Sequence, residues 1–111
     1  MAKIKWSKDS LADLKEICHF IALDSPYFAT VLKDRVFEMV EHLELFPEMG
    51  RHVPESNEPS VRELIYKGYR IVYQIREGYL EIITVLHGSK LLKLKPLRTK
   101  KIGKKIGTAP V

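Results

Sequence analysis

Val61-Arg-Glu-Leu-Ile-Tyr66, Lys67-Gly68, Tyr69-Arg-Ile-Val-Tyr-Gln-Ile-Arg76, Glu77-Gly78 and Tyr79-Leu-Glu-Ile-Ile-Thr-Val-Leu-His87 form the stretch from which the fold is read. Three runs rich in β-branched and aromatic residues are separated by two dipeptides that end in Gly, the pattern of an antiparallel meander with tight hairpin turns. A two-residue turn at Glu77-Gly78 sets Arg76 opposite Tyr79, Gln74 opposite Glu81, Val72 opposite Ile83 and Arg70 opposite Val85. Strand side chains alternate, so this register puts Arg70, Gln74, Arg76, Glu81 and His87 on one face. Ile71, Tyr73, Ile75, Leu80, Ile82 and Leu86 fall on the other. Arg70 and His87 become diagonal neighbours, roughly 7–8 Å apart. The first hairpin stays open: Lys67-Gly68 is compatible with a tight turn or with a longer loop, and a one-residue slip exchanges the faces of Arg62 and Glu63.

Upstream, residues 51–60 are polar, carry two prolines and have no period, which predicts a loop. Before them, Phe28, Leu32, Val36, Met39, Leu43 and Phe46 step by threes and fours along a helix. It opens at Ser25-Pro26, a cap oxygen followed by a proline whose missing N–H costs nothing there. Its stripe predicts about 20 residues of helix, ended by Pro47 and Gly50. Leu11, Leu14, Ile17 and Ile21 predict an earlier helix from about Lys8 to Leu23, capped by Ser7. Two helices so closely joined form a hairpin. Lys3-Ile4-Lys5-Trp6 alternates as a short strand that joins a sheet edge. The expectation is an α+β domain of order β-α-α-β-β-β, with the helical hairpin on one face of a small antiparallel sheet and the other face open.

The 111 residues hold 19 Lys+Arg and 14 Asp+Glu. Residues 1–50 carry six cations against nine acids, residues 51–90 six against five, and residues 91–111 seven against none. The basic excess therefore belongs to a C-terminal extension, 91–111, beyond a nearly neutral domain, 1–90. Cys18 is the single cysteine and there is no leading apolar stretch, which fits a reducing cytoplasm. The longest runs free of charged residues are eight residues long, far short of the roughly 20 that span a bilayer. Cys18, His19, His42 and His52 have no metal-ligand spacing, so neither metal nor cofactor is expected.

Trp6-Ser7 before the first helix, Ser25-Pro26 between helices, Phe46-Pro47-x-x-Gly50-Arg51, Arg62-Glu63-Leu64, Gly68-Tyr69-Arg70-Ile71-Val72-Tyr73 and Val85-Leu86-His87-Gly88-Ser89-Lys90 appear in that order. Together they resemble the RelE/ParE toxin superfamily over residues 3 to about 90. The resemblance implies the toxin of a type II toxin–antitoxin (plasmid stabilisation) module in a bacterial or archaeal cytoplasm. Such a toxin inhibits growth and is neutralised by a cognate antitoxin, with which it forms a hetero-oligomer and whose amphipathic segment packs on it. Two activities share this fold: RelE-like members are ribosome-dependent mRNA endonucleases, or mRNA interferases, whereas ParE-like members inhibit DNA gyrase.

Metal-free RNA cleavage needs a base, an acid and cations around the phosphate. By the resemblance, Arg70 stands where the endonucleases hold the phosphate with a strand arginine, and His87 or Lys90 would assist proton transfer. Against this, the lysines those enzymes carry on the preceding strand fall near Val61 and Glu63, and residues 91–111 hold no Tyr or His. Arg70 can equally be an ion-pair partner of Glu63 or Glu81, and His87 a strand-end residue bonded to backbone. The Val-Leu-His-Gly-Ser-Lys ending resembles the ParE side. That reading makes the chain a non-enzymatic gyrase binder whose contact surface includes Leu91, Lys93, Lys95 and Arg98 of the basic tail.

Overall fold

The structure is a computed structural model that describes residues 2–88. Its elements are β1 (Lys3–Trp6), α1 (Lys8–Ala22), α2 (Pro26–His42), β2 (Arg51–His52), β3 (Val61–Tyr66), β4 (Tyr69–Arg76) and β5 (Tyr79–His87). They form one five-stranded sheet of order β1-β5-β4-β3-β2, with the two helices packed on it. The α+β layering is that expected from sequence, and β1 lies at an edge. The sheet is mixed, however, because β1 runs parallel to β5, pairing Lys3 with Tyr79 and Trp6 with Ile82. Both helices and three strands separate β1 from β5 in the chain, so no hairpin ties the two into an antiparallel pair.

Local chemistry explains the helix boundaries. The Ser7 hydroxyl accepts the Ser10 N–H at 3.0 Å, and that of Ser25 accepts the Phe28 N–H at 3.1 Å, each satisfying an orphan donor of the first turn. Ser7 Oγ also donates to the Ile83 carbonyl at 3.1 Å, tying the start of α1 to β5. α2 is shorter than its apolar stripe suggests, at 17 residues. A turn follows in which the Leu43 N–H reaches the Val40 carbonyl at 3.0 Å. Its buried line is Ala29, Leu32, Val36 and Val40, extended by Leu43, while Phe46, expected to close the stripe, is 62% exposed.

Both turns have two residues. Arg76 pairs with Tyr79, as read from sequence, and Tyr66 pairs with Tyr69, which settles the register that the sequence left open. Lys67 and Gly68 take φ of 47° and 85°, so Lys67 holds a left-handed conformation that costs a side-chain-bearing residue free energy. Residues 51–60 are not wholly loop, because Arg51 and His52 pair with Glu63 and Arg62.

The decisive departure is a β-bulge in β5. Gln74 faces Glu81 and Tyr73 faces Ile82, but Val72 faces Thr84, so Ile83 is the extra residue. Beyond it, Arg70 lies opposite Leu86 and Tyr69 opposite His87. The bulge carries Val85 into the core under the helices, with Ile71, Tyr73, Leu80 and Ile82. Leu86 moves to the far face. There it joins Val53, Val61, Val72 and Ile83 in a second buried cluster, so the face expected to be open carries a small core of its own.

Candidate functional site

Arg70 sits on β4 in the far face, and only 7% of its side chain is exposed. Its Nε donates to Glu63 Oε1 at 2.6 Å, while Nη1 and Nη2 donate to Glu55 Oε2 and Oε1 at 2.9 and 2.7 Å. The Glu55 pair is the parallel bidentate fork that a guanidinium and a carboxylate form best. Glu63, with no side-chain exposure, also accepts Arg51 Nε at 2.7 Å through Oε2. The carboxylate of Glu55 and, after it, those carboxylates' charges and the Glu63 bond hold the Arg70 guanidinium above its ordinary pKa, against the opposing effect of burial. Arg70 is thus consumed by two acids.

The register places this node. The two-residue turn at Lys67-Gly68 puts Glu63 opposite Val72 and on the face of Arg70. The loop before β3 supplies Glu55, and its neighbour Val53 packs into the far-face cluster. Ser60 Oγ accepts Gln74 Nε2 at 3.0 Å, tethering the loop a second time. Of the partners expected for Arg70, Glu63 is present, whereas Glu81 accepts Arg76 at 2.9 Å instead. Glu55 was not legible as a partner, since no period or spacing aims a loop residue between prolines.

His87 is not a neighbour of Arg70. The bulge sets it opposite Tyr69, their rings meeting edge to face at 5.2 Å between centroids. Alternation then puts it on the sheet face away from Arg70. The signal that could have revealed this is the run Ile83-Thr84-Val85: strict alternation leaves Thr84 on the core side and turns Val85 out. Thr84 Oγ1 donates to Asp13 of α1 in the folded chain. Lys90, Leu91, Lys93, Lys95 and Arg98 lie outside the described residues, as does the boundary between 1–90 and 91–111.

Other named groups have structural partners. Tyr73, fully buried, donates its hydroxyl to the Pro47 carbonyl at 2.7 Å and accepts the Gly50 N–H at 2.9 Å; burial raises its pKa. A Cβ on Gly50 would stand 2.6 Å from the Glu63 carbonyl oxygen and 2.7 Å from the Tyr73 hydroxyl, so this approach requires glycine. Arg62 Nη1 donates to the Gly50 carbonyl at 2.7 Å. Among the described residues, no group of three His, Cys, Asp or Glu is placed to hold a metal ion, and no helix is long and apolar enough to cross a membrane.

Residues 4–92 match the model of the ParE toxin of the type II toxin–antitoxin system parDE. The chain belongs to the ParE toxin family. It is therefore the toxin of a type II toxin–antitoxin system, with an antitoxin as partner. It is 30% identical over 92 residues to Toxin RelE2 of Caulobacter vibrioides, a match that covers 82% of this chain and all of the relative. A solved chain of the chromosomal ParDE toxin–antitoxin system from P. aeruginosa shares the fold, with a TM-score of 0.64 at 24% identity over 78% of this chain and 96% of that one. For a ParE-family toxin, the motifs that carried the resemblance have an evident structural use: Phe46-Pro47-x-x-Gly50-Arg51 is held by Tyr73, Arg62 and Glu63, and Ser7 fastens α1 to β5.

Proposed function

We propose that this toxin acts in the cytoplasm as a non-enzymatic inhibitor of DNA gyrase, until its antitoxin covers it. The observation that carries the reading is the state of Arg70, the cation a nuclease site would need at the phosphate. It is 7% exposed and bonded to Glu55 and Glu63, so all three of its nitrogens are already committed to carboxylates. A guanidinium whose donors are occupied in this way has none to offer to the developing charge of a phosphate. The match to the ParE family model supports the same side. Leu91, Lys93, Lys95 and Arg98 supply the apolar and cationic contacts to the target in this reading. Purified toxin incubated with gyrase and relaxed plasmid should block supercoiling or accumulate cleaved complexes; normal supercoiling without cleavage rejects the proposal.

The likeness to a toxin named RelE2 favours keeping one second reading, a ribosome-dependent mRNA endonuclease using Arg70, His87 and Lys90. It requires Arg70 to leave Glu55 and Glu63, and it has to act across the sheet, because Arg70 and His87 lie on opposite faces. Primer extension on translated mRNA would then show new cuts in the ribosomal A site.

A further inference from the structure

The tip of the helical hairpin leaves three large apolar side chains to solvent: Phe20 at 75%, Leu23 at 85% and Tyr27 at 80% exposure. Phe20 lies on the outward stripe of α1, where Asp9, Asp13 and Glu16 precede it by helical steps of four, three and four. Asp24 carries the stripe into the turn between the helices. Asp13 accepts Thr84 Oγ1. The exposed carboxylates of Glu16 and Asp24 make no ion pair among the described residues, so the apolar tip is bordered on its outward side by uncompensated acid.

The described chain finishes at the same end of the molecule. α1 starts level with Ile82 and Ile83, whose carbonyls hold Ser7, while α2 runs about 25 Å from Pro26 to His42. It finishes beside the start of β1, where the Ala2 N–H reaches the Glu44 carbonyl at 3.1 Å. Since β1 is parallel to β5, the tip lies beyond Ser7 in the direction of β5, toward His87. Asp13 agrees, meeting Thr84 one residue past the carbonyl that takes the Ser7 hydroxyl. Beyond Gly88, residues 91–98 hold four Leu, three cations and no acid. The ten residues 89–98 reach up to roughly 33 Å, against about 12 Å of helix from Glu16 to Asp24.

Size and sign together select the occupant. Three such side chains offer on the order of 400 Å², about half of the roughly 800 Å² that each partner gives a stable complex. A tethered segment needs less, because its linker holds it at an effective concentration of about mM. A second copy would set the acids of each tip against the other, whereas residues 91–98 bring leucine and the opposite charge.

We propose that residues 91–98 dock on the outward face of the hairpin tip, their leucines on Phe20, Leu23 and Tyr27 and their cations at Glu16 and Asp24. The dock concerns the toxin alone and stands whatever its target. Where the gyrase reading holds, target and hairpin tip compete for Leu91, Lys93, Lys95 and Arg98.

The test places a nitroxide on the full chain at Thr99→Cys in a Cys18→Ser background, which leaves one thiol, and compares backbone NMR signals with the label oxidised and reduced. The amides of Glu16, Phe20 and Asp24 should lose most of their intensity, while Ile75, at the other end of the sheet, keeps its own. Glu16→Lys/Asp24→Lys should abolish most of that loss, and adding Lys93→Glu/Lys95→Glu/Arg98→Glu should bring it back. Phe20→Ser/Leu23→Ser should weaken the loss with either set of charges. Spectra with the label reduced show that each variant keeps its fold. The assignment is overturned if the loss is absent, is centred elsewhere, or survives reversal of Glu16 and Asp24. A mixture of labelled toxin with isotope-enriched, unlabelled toxin should show no loss; a loss there assigns the segment to a second copy and overturns the intramolecular dock.

Discussion

Arg70→Ala tests the reasoning at its central point. The substitution removes three donors from two carboxylates, one of them Glu63, whose side chain has no exposure and keeps only the bond from Arg51. Arg51 is 61% exposed and held in part by solvent, so it replaces little of what is lost. Glu55, at 22% exposure, can recover some hydration. Breaking one partner out of a buried ion pair costs about 3–5 kcal/mol. The residual Arg51 bond and the partial exposure of Glu55 argue for the lower end, about 3 kcal/mol. For a domain of this size that lowers Tm by roughly 12–24 °C. Trp6 is the single tryptophan and its ring lies 4.9 Å from that of Phe37 across the helix–strand junction, so its fluorescence reports global unfolding.

A companion variant separates burial of charge from loss of packing. Arg70→Met/Glu63→Leu removes the cation and the most deeply buried acid together, and should lose much less than Arg70→Ala, because no fully buried carboxylate is left unpaired. If Arg70→Ala costs less than about 1 kcal/mol, water replaces the guanidinium readily and Arg70 is available to other anions. That result would refute the case against an Arg70-centred nuclease. It also follows that loss of toxicity in Arg70→Ala cannot be taken as a catalytic effect until stability is measured, and that Glu55→Ala is the proper control: it releases the two Nη donors of Arg70 while the Glu63 bond keeps the side chain in place.

Three further outcomes follow from the same contacts. Gly50→Ala drives a methyl into the Glu63 carbonyl and the Tyr73 hydroxyl, and denaturant unfolding should show a loss of about 1–3 kcal/mol. Lys67→Gly relieves the positive φ of the first turn and should raise stability by up to about 1 kcal/mol, read as a higher Tm; no gain would mean the turn is not strained. Tyr73→Phe leaves the Pro47 carbonyl and the Gly50 N–H without their partner, a loss of about 1–3 kcal/mol at neutral pH. It should also flatten the alkaline limb of the stability curve. The raised pKa of Tyr73 keeps it neutral in the fold while the unfolded chain ionises, so its contribution is whole below pH 10.0 and is lost as pH rises through the folded value.

Element order was legible because it rests on local signals: Ser7 and Ser25-Pro26 as helix starts, two Gly-ending dipeptides as turns, and the switch from helical to alternating period at Val61. Which of Arg62 and Glu63 meets Arg70 was not legible, because Lys67-Gly68 was compatible with a longer loop or a slipped register, and only the strand pairing sets Glu63 opposite Val72. What failed was alternation carried through Ile83. The bulge exchanges the two residues that follow it, sending Val85 to the core under the helices and Leu86 to the far-face cluster, and strand alternation alone carries no signal for it because both residues are apolar. That one residue separated His87 from Arg70. Glu55 was illegible for a different reason: its position depends on where the loop lies over the sheet, which Val53 and Ser60 determine through contacts distant in sequence.

The motifs of this family are mostly scaffold, and that bears on how far membership can select a target. Ser7 binds helix to sheet, Tyr73 and Gly50 bind the post-helical turn to β4, and Glu63 joins Arg51 to Arg70. Each is a long-range polar contact that a β-α-α-β-β-β chain needs in order to close its sheet around a modest core. A scaffold of this kind can carry either nuclease or gyrase-binding chemistry, so the discrimination must come from groups the scaffold does not consume. Arg70 is consumed here. The cations the fold leaves toward solvent include Lys15 and Lys33 along the helical seam, and seven more follow in residues 91–111. With Arg70 held by Glu55 and Glu63, a nuclease reading has first to free that guanidinium, whereas a protein-binding reading has no need of it.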